Sequence, residues 1–273
     1  MPSPTEITAS QLARLIGLPN SPLLIDVRPD DALVRDPHLI PGSIPRPHVE
    51  PESLITTIGK RPAVVVCENG CALSQGIAAW LRHSGVVAET LEGGVVAWQK
   101  AGQPLITTKN LPPRDNHGRT VWVTRARPKV DRIACPWLIR RFIDPEAVFL
   151  FVAANEVLGT AELFSATPFD IPDVFWSHRG EKCSFDTMLE EFGLSVPALD
   201  RVATIVRGAD TARPDLAPEA AGLLAASLGF SRMYRDDLEQ LTAAMALYDA
   251  VYRWARDATD ETHTWIEATG AKA

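Results

Sequence analysis

Apolar positions in the first hundred residues fall into short runs separated by turns and amphipathic stretches. LLIDVRP, residues 23–29, reads as a short buried strand, and the β-branched run Ala63–Val66, which stops at Cys67, reads as another. VVAETLEGG, after Gly85, has the pattern of a third strand closed by Gly93 and Gly94. Helical patterns lie between and after them. Ser10 is placed to cap a first helix whose face is Leu12, Leu15 and Ile16, ended by Gly17 and Pro19. Further helices are expected at 53–58, from Ser74 to Gly85, and over VVAWQKAG. Residues 30–51 are rich in proline and acids and read mostly as loop and turn. Strand and helix therefore alternate, which predicts a parallel α/β sheet with helices on both faces.

The pattern changes after residue 103. QPLITTKNLPPRDNHGRT lacks periodic apolar positions and contains Pro104, Pro112 and Pro113, so a linker is expected over 108–119, between domains 1–107 and 120–273. VWVTR and VFLFV then read as strands. Between them, RPKVDRIACPWLIRRFIDP puts Ile133, Trp137, Leu138 and Phe142 on one helical face and Arg132, Arg140 and Arg141 elsewhere. Helices are expected at 185–192, 197–207, 219–228 and 236–256, making this half a helix-rich α/β domain. A chain of 273 residues suits two domains, each with its own core.

Composition narrows the function classes. Hydrophobic residues at 46% and charged residues at 22% describe an ordinary soluble domain pair. The net charge of -7 opposes attraction of the whole molecule to nucleic acid or anionic lipid but leaves room for a local basic face. The amino terminus shows neither a basic opening nor an apolar core, and the longest apolar run, 147–154, is too short to span a bilayer, so a cytoplasmic location is expected with no membrane partner. In that reducing compartment the four cysteines are read as thiols or ligands rather than disulfides.

Cys67 carries the sharpest chemistry. It sits where a strand gives way to a polar loop and then a helix, so loop amides and the helix start favour thiolate over thiol. The plainer alternative is a small apolar residue at a strand end. The loop reads Glu68, Asn69, Gly70, Cys71, Ala72, Leu73, Ser74 and contains no cation. Oxyanion binding there would rest on backbone amides, opposed by Glu68 if it points inward. Arg28, which with Asp26 ends the LLIDVRP strand, either supplies positive charge to the loop or pairs with a nearby acid. Cys71 either resolves an oxidised Cys67 or is a bystander.

LIDVR, HLIPGSIP, VVVC followed by glycine and a helix, and LEGGVVAWQKAG occur in the order and spacing of the rhodanese homology domain, which residues 5–106 resemble. That resemblance implies a persulfide on Cys67, cradled by the loop 68–74, with no cofactor required. Its partners would be a small-molecule sulfur donor and a thiol acceptor. Active members often place a cation in the loop, where this chain has none. Weak activity toward thiosulfate, or a less charged donor, is therefore expected.

RPKVDRIACPWLIRRFIDP, SHRGEKCSFD, IVRGAD, PEAAGLLAASLG and YDAVYRW make residues 120–258 resemble the carboxy-terminal domain of chromate resistance protein B, ChrB. This family is tied to chromate resistance and regulation rather than to one reaction. His178, Cys183, Asp186 and Asp210 offer donor atoms for a transition metal, zinc or iron, although their spacing matches no standard zinc motif. The alternatives are hydrogen-bonded supports around a core cysteine, or, with Arg207, an anion site. Arg114, Arg119, Arg125, Arg127, Lys129, Arg132, Arg140 and Arg141 face only two acids, Asp115 and Asp131, in their segment. They either contact DNA phosphates, capture an oxyanion such as chromate, or pair with acids from elsewhere. Cys135 reads as buried. His263 reads as solvent-facing, unless ETHTW folds back over a site. Two functions follow: a persulfide-carrying sulfurtransferase linked to chromate, oxyanion or sulfur stress, or a chromate-responsive regulator with a redox-sensing first half. A metal-dependent activity of the second half is a third.

Overall fold

A computed structural model describes residues 5–46 and 51–261. Pro47 and His48, beside the HLIPGSIP motif, and His263 with the rest of ETHTW beyond Glu261 lie outside the described residues.

The first half contains a five-stranded, all-parallel sheet. In chain order its elements are β1 (Glu6–Ile7), α1 (Ala9–Ala13), β2 (Leu23–Asp26), α2 (Asp30–Arg35), β3 (His38–Leu39), β4 (Ser43–Pro45), α3 (Pro51–Ile58), β5 (Ala63–Val66), α4 (Ala72–His83), β6 (Ala88–Leu91), α5 (Gly94–Lys100) and β7 (Ile106–Thr107). The sheet order is β1-β6-β5-β2-β4, while β3 and β7 form a separate antiparallel pair. Two local expectations change. Thr8 caps α1, because its side chain and that of Gln11 satisfy each other's backbone amides in a capping box, leaving Ser10 inside the helix. The proline-rich stretch supplies α2 and β4, and β4 tolerates Pro45 because it is an edge strand.

Strand parity decides what the sheet packs against. Leu24 on β2 and Val64 and Val66 on β5 face one way, while Leu23, Ile25, Ala63, Val65 and Cys67 face the other. The second set meets Leu54 and Ile58 of α3 and Ile77, Ala78 and Leu81 of α4. The first set joins Leu12 of α1 and Trp98 of α5 in a cluster that continues into the second half through Trp137, Phe142 and Tyr252. The two halves thus share one hydrophobic cluster, and each also keeps a smaller one of its own.

The second half runs β8 (Val121–Arg125), α6 (Val130–Leu138), β9 (Val148–Val152), α7 (Val157–Phe164), β10 (Thr167–Pro168), α8 (Ser184–Phe192), α9 (Pro197–Asp210), α10 (Ala220–Met233) and α11 (Asp237–Asp257). Its parallel sheet has the order β10-β8-β9. α6 contains Pro136 and widens into a π-helical turn over Ile139–Ile143. This keeps Ile133, Trp137, Leu138 and Phe142 all buried. α7 has a mostly exposed surface and gave no clear apolar stripe in the sequence.

The segment 108–119 is tied down rather than free. Asn110 Nδ2 donates to Glu191 at 2.7 Å, and Arg114 lies 3.2 Å from the buried Asp144. Elsewhere the Gly42 amide donates to the Phe142 carbonyl, and Arg61 reaches Glu146 at 2.8 Å. At Gly17, with φ +81°, a Cβ would lie 2.4 Å from Phe142 Cζ. Only glycine allows the two halves to approach this closely there.

Candidate functional site

β5 ends at the floor of a cradle built by the next seven residues. Cys67 is buried, and its Sγ lies 3.1 Å from the Ser74 hydroxyl. α4 begins at Ala72, so the Ser74 amide is one of the first-turn N–H groups that have no partner within the helix. Burial pushes the Cys67 thiol up, but the Ser74 hydroxyl and the amides of Ser74, Cys71 and Asn69 bring it below its ordinary value of 9.0. The sequence expectation of an amide-lined thiol therefore has a geometric counterpart. Of the other loop residues, Glu68, Asn69, Cys71, Ala72 and Leu73 are exposed, and the Gly70 carbonyl accepts from Gln75.

The loop is locked from the side by the glycine pair that closes β6. The Val95 amide donates to the Cys67 carbonyl and the Val96 amide to that of Glu68. At Gly94, φ +61°, a Cβ would stand 2.3 Å from the Cys67 carbonyl oxygen and 2.6 Å from the Gly70 nitrogen. Arg28 is not part of the cradle. It pairs with Asp26 at 2.7 Å through Nη2 with both side chains 1% exposed; the same Nη2 donates to the His38 carbonyl, and Nη1 lies 3.6 Å from Asp36. Of the two roles open in the sequence, the structure gives Arg28 the ion-pair role, with Asp26 as partner.

A lowered thiol value has a measurable signature. In a Cys71→Ser background, alkylation of Cys67 is expected to follow a titration with its midpoint below 9.0, and Ser74→Ala is expected to move that midpoint upward. An unmoved midpoint would remove Ser74 from the cradle. The linked stability works in the same sense. Because the folded value is depressed, the thiolate contributes stability above the unfolded thiol value, and that contribution is lost as the pH falls through the folded one.

The second half assembles a different cluster. Nε2 of His178 lies 3.1 Å from Asp210 Oδ2, 3.4 Å from Asp170 Oδ1 and 3.5 Å from Asp131 Oδ2. Asp131 is in the first turn of α6, Asp170 follows β10, and Asp210 ends α9, so three separate elements aim carboxylates at one imidazole. Around them, the Ser184 amide donates to Asp131 Oδ2 at 2.6 Å and the Ser184 hydroxyl to Asp170 Oδ1 at 2.7 Å. Burial, then the neighbouring Asp210 and Asp170, push Asp131 up to about 7 against the opposing pull of His178. The three carboxylates in turn push His178 up to about 12. Both shifts express one fact: the cluster carries excess negative charge and retains protons to offset it.

Of the four metal candidates read from the sequence, His178 and Asp210 meet here, while Cys183 and Asp186 do different work. Cys183 is fully buried at the N-cap of α8, and burial pushes its thiol far above the ordinary value. Asp186 accepts from the Cys183 amide at 3.0 Å and from Arg207 at 2.8 Å, closing the helix cap. These two therefore leave the candidate ligand set. Asp131 and Asp170 enter it; Asp131 counts in the sequence only as one of two acids in the basic run, and the sequence reading does not single out Asp170. The sequence signal for Asp131 was its place between Val130 and Ile133, on the apolar side of the helix.

The family model for the rhodanese-like domain matches residues 8–101, and the model for the ChrB C-terminal domain matches 122–255. The chain joins a rhodanese-like domain to a ChrB C-terminal domain. It is similar to Protein ChrB of Cupriavidus metallidurans, 34% identical over 155 residues. That match covers 55% of this chain and 46% of ChrB, so the chain spans about half the length of this relative. Among solved structures it is similar to a rhodanese-related protein from Thermoplasma volcanium, 24% identical with TM-score 0.33, covering 37% of this chain and 96% of that one. It is also similar to a thiosulfate sulfurtransferase from Pseudomonas aeruginosa, 22% identical with TM-score 0.31, covering 40% of this chain and 21% of that one.

The rhodanese-like domain holds the Cys67 cradle, and the ChrB C-terminal domain holds the His178 cluster. The basic run between them is dispersed into ion pairs. Arg119 pairs with Asp115, Arg132 and Arg125 lie at 3.3 and 3.8 Å from Asp170, and Arg141 grips Asp249 at 2.8 Å through two nitrogens. Arg140 packs over the Phe149 ring, and Arg127 reaches carbonyls of the α10–α11 turn. Cys135 is buried. Among the described residues, no helix is long and apolar enough to cross a membrane.

Proposed function

We propose that the chain is a persulfide-carrying sulfurtransferase linked to chromate, oxyanion or sulfur stress. The observation that carries this reading is the placement of the Cys67 sulfur, buried at the end of β5, 3.1 Å from the Ser74 hydroxyl in the first turn of α4, where that hydroxyl and the loop amides favour the thiolate. The thiolate attacks the sulfane sulfur of a donor, the bond from that sulfur to the rest of the donor breaks, and the leaving group departs with the electron pair. A thiol acceptor, as its thiolate, then attacks the outer sulfur of the Cys67 persulfide and regenerates the thiolate. The cradle's amides face the sulfur in both states, so the anionic persulfide would be held by the same groups.

Because Arg28 is spent on Asp26, the loop would meet a dianionic donor with amides alone. A less charged donor, such as a neutral organic trisulfide, is therefore expected to load Cys67 faster than thiosulfate. The test is intact-protein mass spectrometry after each donor, paired with a sulfur-transfer assay. Wild type is expected to gain one sulfur at Cys67 and to turn over. Cys67→Ser is expected to do neither, and equal loading of the two proteins would remove the assignment. A DNA-contacting role draws less support, since the arginines that would meet phosphates are engaged with acids, carbonyls and a ring.

A further inference from the structure

One imidazole nitrogen cannot satisfy three carboxylates. If His178 Nε2 carries a proton, it donates one good hydrogen bond, yet Asp131, Asp170 and Asp210 all place an oxygen 3.1–3.5 Å from it. Even with the protons the cluster retains, three carboxyl groups are gathered around a single imidazole, two of them on side chains less than a tenth exposed. Arg132, 3.3 Å from Asp170, offsets only part of their charge.

The spacing suits a metal polyhedron. With oxygen and nitrogen ligands at roughly 2.0–2.2 Å from a central ion, adjacent donor atoms are separated by roughly 2.8–3.6 Å. The three distances from Nε2 fall within that interval. Asp131, Asp170 and His178 also each offer a ligand atom within 4.8 Å of the others.

An independent observation comes from the Asp131 carboxylate. Asp131 is 0% exposed, and its Oδ1 is buried with no hydrogen-bond partner among the described residues. A carboxylate oxygen removed from water and left unpartnered is costly, and a cation bound by Asp131 through both oxygens would remove the cost. The outer contacts are those of a supported site: the Ser184 amide holds Asp131 Oδ2 and the Ser184 hydroxyl holds Asp170 Oδ1. Entry is open as well. His178 is 40% exposed, and it lines a cleft of about 490 Å³ with Arg125, Asp170 and Ser177.

We propose that Asp131, Asp170 and His178 form a binding site for one divalent first-row metal ion, held by oxygen and imidazole donors without a thiolate, with Asp210 beside His178 at the edge of the site. Carboxylates and one imidazole make a harder donor set than the one containing Cys183, which moves the preference from thiolate-loving zinc toward Mn²⁺ or Fe²⁺. The cleft beside His178 leaves a face of the ion open, with Arg125 nearby to accompany an anionic co-ligand.

The test uses the full chain without a histidine tag, stripped with chelator, incubated with Mn²⁺ or with Zn²⁺ and dialysed. Wild type is expected to retain one ion per chain by elemental analysis and to melt at a temperature that rises with metal concentration. His178→Ala, at a half-exposed position, and the isosteric Asp131→Asn are expected to bind at least about 10-fold more weakly, the loss typical even of a group that only supports a ligand. Circular dichroism verifies that both variants are folded. Glu181→Gln, a nearby acid outside the cluster, is expected to bind as wild type does. Neither metal retained by wild type, or retention undiminished in both folded cluster variants, would overturn the proposal.

Discussion

Gly94→Ala is expected to lower the melting temperature by about 4–20 °C and to slow alkylation of Cys67 at neutral pH. Residue 94 has φ +61°, where a non-glycine residue costs about 1–2 kcal/mol. The added methyl would also meet backbone atoms on three sides: the Cys67 and Glu68 carbonyl oxygens at 2.3 and 2.6 Å and the Gly70 nitrogen at 2.6 Å. Backbone cannot swing aside as a side chain can, so overpacking adds about 1–3 kcal/mol. A total of about 2–5 kcal/mol converts at roughly 2–4 °C per kcal/mol for a chain of this size. Relief of the clash would push residues 67–70 away from their present positions, and with them the amides that lower the thiol. Gly76→Ala is the matched control. It lies inside α4 with no atom within 4 Å of the added carbon, and it is expected to be neutral or stabilising by up to about 1 kcal/mol. Identical melting and alkylation for Gly94→Ala and wild type would contradict the lock.

Arg28→Met is expected to cost about 3–5 kcal/mol, because it leaves the Asp26 carboxylate buried beside β5 with no counter-charge. The cost arises from the orphaned charge rather than from the loss of a favourable pair. Adding Asp26→Asn to Arg28→Met should therefore recover most of it, since the neutral amide still offers an oxygen to the residue 28 amide that Asp26 now accepts. Denaturant unfolding of the single and double variants measures both steps, and a double variant no more stable than Arg28→Met would refute the account. The alkylation midpoint of Cys67 should stay in place in the double variant, because the groups that lower the thiol are Ser74 and the loop amides. A midpoint that rises would return Arg28 to the cradle.

The sequence was most legible where periodicity and local chemistry agreed. β5, α4, β6 and α5 each have a single compatible pattern, and Cys67 sits at a junction whose geometry follows from the order strand, loop, helix. It was least legible where a residue's role depends on elements distant in the chain. β4 hides in a proline-rich stretch because an edge strand does not need every amide. Asp131 and Asp170 are brought to His178 only by the packing of α6, α8 and α9, a convergence that spacing along the chain does not encode. Cys183 and Asp186 lie close to His178 in sequence, but the helix cap at α8 claims both of them. Arg28 had two readings of equal standing, and burial chose between them.

The alternation of side chains along β2 and β5, with one set turned toward Trp98, Trp137 and Phe142, also governs how the chain melts. Neither half can expose that surface without exposing its neighbour's, so the two halves are expected to unfold in one transition, which coincident melting followed by two probes would check. Free energy released by a ligand bound to either half would then protect both, the Cys67 loop included.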